Sequence, residues 1–74
     1  MDVEFSQHSL DQLKVRAKIT KPMILEVLMH PDNVSASYRG RVLYQKQHGK
    51  ETLEVVVKEE DNKLIVITEY FLEQ

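Results

Sequence analysis

Seventy-four residues with ten Lys and Arg, twelve Asp and Glu, three His and no Cys leave room for one domain with one small core. A chain this short buries roughly 60% of its unfolded surface, and without cysteine neither a disulfide nor a thiolate zinc site can staple it. The formal charge of −2 and the pI near 5.9 exclude the strongly basic balance of proteins that hold phosphate backbones non-specifically.

Met1 to Phe5 alternates apolar and polar residues and suits a short strand. Ser6 is an N-cap for a helix expected from Gln7 to about Lys18, with Leu10, Leu13 and Ala17 as its core stripe. Thr20 is a second N-cap and Pro22 fits the first turn of the helix it starts. Apolar residues from Met23 to Met29 cover most of that helix, so it should be largely buried until Pro31 ends it. Pro31-Asp32-Asn33 is turn chemistry, and Val34 to Tyr38 reads as an edge or ragged extended segment leading to Gly40.

Three stronger strands follow, Arg41 to about Gln47, Glu51 to Glu59 and Lys63 to Phe71, separated by His48-Gly49-Lys50 and Glu60-Asp61-Asn62. Loops this short dictate antiparallel hairpins. The fold class is therefore α+β, two N-terminal helices packed on an antiparallel sheet of three main strands, with a short N-terminal strand as a further element. If Glu60 pairs with Lys63, then Leu53, Val55, Val57, Leu64 and Val66 share a face with Thr68 and Tyr70. The opposite face then carries Glu54, Lys58 and Glu69 and is the wetter one.

The domain is expected to span 1–74. No apolar run approaches the roughly 20 residues of a membrane span, and Met1-Asp2-Val3-Glu4-Phe5 lacks the basic and apolar regions of a signal peptide. The expectation is a cytoplasmic protein without a membrane partner.

Candidate chemistry gathers in four groups. His8, Gln12 and Arg16 are spaced by four and form one polar stripe on the first helix; His exchanges protons near neutral pH and Arg grips phosphate or carboxylate through its fork. The plain alternative is surface exposure or capping for His8 and a surface ion pair for Arg16. Arg39 and Arg41 flank Gly40 and form a candidate anion grip, against salt bridges across the sheet. Tyr44 and Tyr38 are candidates for stacking on a base, against half-buried packing. Thr68 and Tyr70 deliver a hydroxyl and a phenol at the end of the last strand, where desolvation demands a partner or a use; strand propensity alone also accounts for both.

His30 and His48 fit a helix end and a hairpin loop. No metal-ligand spacing, phosphate-cradling glycine loop or nucleophile elbow occurs, so neither metal nor cofactor is expected.

Phe5-Ser6-Gln7-His8-Ser9-Leu10, Val15-Arg16-Ala17-Lys18-Ile19-Thr20, Gly40-Arg41-Val42-Leu43-Tyr44, Leu53-Glu54-Val55-Val56-Val57 and Ile65-Val66-Ile67-Thr68-Glu69-Tyr70 form an ordered ladder from Val3 to Tyr70. It resembles a family of short prokaryotic proteins that carry a domain of unknown function. That family is similar to a compact branch of the RelE/ParE toxin superfamily. The resemblance implies a RelE-like fold and a metal-independent ribonuclease of a toxin-antitoxin system, in which a ribose 2′-hydroxyl attacks the adjacent phosphate. It also implies an antitoxin and RNA or the ribosome as partners. His8, Arg16, Arg41 and Tyr70 would be catalytic, and Thr68, Arg39 and Tyr44 substrate-binding. The family often has a second Arg one turn before Arg16, where this chain has Gln12, and the acidic balance is a second departure. Both favour the alternative, a non-catalytic protein-interaction domain on the same fold.

Overall fold

The computed structural model describes residues 2–73. In chain order they form β1 (Asp2–Phe5), α1 (Gln7–Val15), α2 (Lys21–Met29), β2 (Asn33–Ala36), a short turn at Tyr38–Gly40, β3 (Arg41–His48), β4 (Glu51–Glu60) and β5 (Lys63–Leu72). The strands make a single sheet of order β1-β5-β4-β3-β2. The three expected long strands occupy its middle, flanked by two short strands. β1 runs parallel to β5 and every other pair is antiparallel, so the sheet is mixed and five-stranded, a correction to the three-stranded antiparallel sheet expected.

The two central hairpins follow from their loop residues. Asp61 and Asn62 both adopt positive φ, 51° and 64°, the backbone that a two-residue type I′ turn requires and that Asp and Asn tolerate. This fixes Glu60 opposite Lys63, as expected. Gly49, at φ 65°, opens the other turn and sets His48 opposite Glu51.

Both helices lie on one face of the sheet. Ile19, Ile24, Val27, Leu53, Val55, Val57 and Val66 are its buried cluster, and Phe5, Leu13 and Tyr44 pack against it. Each such side chain contributes roughly 1.5–3 kcal/mol when fully buried. Ser6 and Thr20 cap as expected, accepting from the backbone N–H of Ser9 at 3.1 Å and of Met23 at 3.3 Å.

α1 ends at Val15, three residues before its expected end. The chain turns at Ala17–Lys18, closed by the Ile19 N–H to Arg16 C=O bond of 3.0 Å, and drops Ile19 into the core. Of the expected α1 stripe, Leu13 packs on the core, Leu10 is half-buried and Ala17 is exposed. The fully buried residue of α1 is Ser9.

The feature that positions the site is a β-bulge in β5. Val57 faces Val66 and Val56 faces Thr68, so Ile67 has no opposite residue. One extra residue reverses the alternation of every side chain after it. Glu69 and Phe71 therefore turn toward the helices, and Thr68 and Tyr70 turn away, sharing the helix-free face with Glu54. The expected register is correct up to Val66 and inverted beyond it.

Candidate functional site

Ser6 holds the bulge in place. Its N–H donates to the Val66 carbonyl at 3.0 Å and its hydroxyl to the Ile67 carbonyl at 3.1 Å, while the same hydroxyl oxygen caps α1. β1 leaves β5 at this point, since its pairing stops at Phe5–Val66. Beyond Val66 the outer edge of β5 is open to α1. The Arg16 guanidinium uses that opening and donates to the backbone carbonyl of Glu69.

The same guanidinium carbon stands 6.0 Å from the centre of the Tyr70 ring, within the range of a cation–π contact. The Tyr70 hydroxyl donates to Glu54 Oε2, and the Gln45 side-chain amide donates to Glu54 Oε1 at 2.6 Å. Gln45, Glu54 and Tyr70 thus form one row across β3, β4 and β5, with Arg16 at its end. Glu54 is buried although no helix covers this face, and both its carboxylate oxygens are satisfied by the donors beside it. Burial, the hydrogen bond to Glu54 and the Glu54 charge push the Tyr70 phenol up to about 12, against a smaller opposing effect of Arg16. At neutral pH Tyr70 is therefore a protonated donor to Glu54.

Beneath this row, on the helix side, Glu69 is wholly buried. Its Oε1 accepts from the Ser9 hydroxyl, and its Oε2 has no hydrogen-bond partner among the described residues. Desolvation raises the Glu69 carboxyl above its usual range, opposed by the Ser9 bond and by the nearby Arg16 and His8 charges.

The structure brings Arg16 and Tyr70 together. Thr68 lies two residues from Tyr70 on the same face, opposite Val56. His8 is exposed in the first turn of α1, on the Arg16 stripe but eight residues earlier, roughly 12 Å along the helix axis. Arg41 is half-buried on the helix-free face opposite Lys58, four residues along β3 from Gln45 and so roughly 13 Å down the strand from the Tyr70 row. It does not join Arg16. Arg39 is exposed in the turn, with φ 58°, near neither. Tyr44 faces the helices and packs on the core, on the side opposite Tyr70; the packing alternative holds for it.

Glu54, Gln45, Glu69 and Ser9 escape sequence reading. The bulge, which no hydrophobic pattern marks within Leu64-Ile65-Val66-Ile67, decides which carboxylate meets Tyr70. Among the described residues no three His, Asp or Glu side chains gather to hold a metal ion, and no helix is long and apolar enough to cross a membrane.

Residues 5–71 match the model of a family described as domain of unknown function DUF4258, and the chain belongs to that family. No curated protein and no solved structure matches it.

Proposed function

We propose that the chain is a toxin-like, metal-independent ribonuclease of the RelE/ParE type whose reaction centre is the Arg16–Tyr70–Glu54 row. The observation that carries this reading is the phenol–carboxylate pair beside a guanidinium on the open face of the sheet. An RNA strand laid on that face offers a ribose 2′-hydroxyl as donor to the Tyr70 oxygen. As the 2′-oxygen bonds to phosphorus, its proton passes to Tyr70 and the Tyr70 proton passes to Glu54. The bond from phosphorus to the 5′-oxygen breaks, leaving a 2′,3′-cyclic phosphate and a 5′-hydroxyl. The departing oxygen takes its proton from water.

Arg16 keeps N–H groups beyond the one committed to Glu69, and these stabilise the charge that builds on the phosphoryl oxygens. Thr68 hydrogen-bonds the phosphate from the adjacent position. Arg41, too far down the strand for the same phosphate, holds a neighbouring one. Arg39 extends that grip into solvent. Partners on this reading are an antitoxin and RNA on the ribosome.

Purified protein incubated with ribosomes and messenger RNA should cleave the message. Arg16→Ala should slow cleavage on the order of 10²-fold, by analogy with loss of one transition-state donor, and Tyr70→Phe and Glu54→Gln should slow it together. Identical RNA patterns with and without the protein would refute the reading. The second reading, a non-catalytic interaction domain, is favoured by one observation: Tyr70, Glu54 and Gln45 already satisfy one another. Recovery from host extract of one stoichiometric protein without nucleic acid, with no cleavage, would support it.

A further inference from the structure

β2 is an edge strand whose sequence, Asn33-Val34-Ser35-Ala36, carries no charge, and all four residues are exposed. Edge strands normally deter pairing with Lys, Pro, bulges or brevity; this one is short but otherwise undefended. Its open side can be derived. The Ser37 N–H donates to Arg41 C=O at 2.8 Å, in register with the Ser35–Leu43 and Asn33–Gln45 pairs. Alternation along an antiparallel ladder then directs the backbone groups of residues 33 and 35 to β3, and those of 34 and 36 outward.

The side chains alternate as well. Val34 and Ala36 share the face of Tyr44 and Val42, while Asn33 and Ser35 share the face of Gln45 and Leu43. Val34 is 48% exposed and Tyr38, just beyond the strand, 88%. The edge thus combines free backbone groups at alternate residues with an uncovered apolar side.

We propose that two copies of the chain associate through this edge, β2 against β2 in antiparallel pairing about a two-fold axis at Ser35. In that register Val34 of each copy faces Ala36 of the other, and the four outward N–H and four outward C=O groups of the two copies find partners in four bonds. Each bond joins one N–H to one C=O. Two Val34–Ala36 pairs meet on the helix side and Ser35 meets its own counterpart on the other. The strand is neutral, so self-pairing brings no like charges face to face. Its flanks are complementary: Asp32 precedes the strand and Arg39 follows it, and antiparallel pairing sets the acid of one copy beside the base of the other. Among the described residues Asp32 meets a half-buried Lys46 at 3.8 Å and the Gln47 N–H at 2.8 Å within its own chain. The product is one continuous ten-stranded sheet, and Tyr70 of each copy, on β5, stays open three strands away.

A contact this small belongs to the weak, concentration-dependent class. Sedimentation velocity of the full chain from about 10 µM to about 1 mM, spanning the range of such contacts, should show a monomer–dimer equilibrium. Ala36→Pro removes an outward N–H while sparing the ladder to β3, and Val34→Lys places like charges at the seam; each should weaken dimerisation at least tenfold, with the amide spectrum of β3 to β5 unchanged. A wild-type chain that is monomeric throughout, or a dimer that survives both substitutions, would overturn the proposal.

Discussion

Glu69 and Glu54 are two buried carboxylates on adjacent strands with opposite environments. Glu54 has a donor on each oxygen, whereas Glu69 has Ser9 on one and, among the described residues, no hydrogen-bond partner on the other. The cost of burying an unsatisfied carboxylate falls on its charged form, which is why the Glu69 carboxyl is raised. In the unfolded chain that carboxyl titrates near 4.5. Below this pH it is neutral in both states and costs nothing. As pH rises past 4.5 the unfolded chain releases the proton first, so folding loses stability until the folded carboxyl has ionised too. Glu69→Gln keeps an acceptor for Ser9 and abolishes this loss. Urea midpoints at pH 4 and pH 8 should therefore show the variant gaining on the wild type as pH rises; equal differences at both pH values would contradict the account. Sequence alone suggests none of this, because Thr68-Glu69-Tyr70 reads as ordinary alternation. Only the unpaired Ile67 decides that Glu69 points in.

At the scale of elements, what is legible is what local chemistry dictates. Asp61-Asn62 and Gly49 select tight turns, and Ser6 and Thr20 mark helix starts through their hydroxyls. What is not legible depends on contacts between distant segments. The early end of α1 serves Ile19 and the Arg16 bond to β5, and the parallel pairing of β1 with β5 joins residues about 60 positions apart. The bulge is of this kind, since Ser6 fastens it from across the chain. Ser6→Ala should cost about 0.5–2 kcal/mol, as for loss of a helix cap, toward the upper end because the Ile67 carbonyl also loses its donor. Deleting Ile67 is a sharper test. It joins Val66 directly to Thr68, which keeps its place opposite Val56, so alternation becomes uniform with Glu69 still inward and Tyr70 still outward, and the variant should still unfold cooperatively. A deletion variant that loses cooperative unfolding would show that Ile67 is not merely the extra residue of the bulge.

For the whole molecule, placing both helices on one face leaves the other as an open platform, with Gln45, Glu54 and Tyr70 across its middle and Arg16 reaching it around the edge of β5. The α+β class was readable from the chain, whereas the face on which Tyr70 meets Arg16 was not, because the bulge after Val66 reverses it. The separation of Arg41 from Arg16 was not, because it depends on how far β3 runs past the Tyr70 row. A net charge of −2 gives little long-range attraction for RNA, so binding on this account depends on local contacts at the platform. The most direct measurement is an amide and side-chain NMR titration of the full chain with a short single-stranded RNA bearing 2′-deoxy sugars to block cleavage. The account predicts shifts at Arg16, Gln45, Thr68 and Tyr70, with the exposed side of α2 unchanged. Shifts confined to α2, or none at saturating RNA, would contradict it.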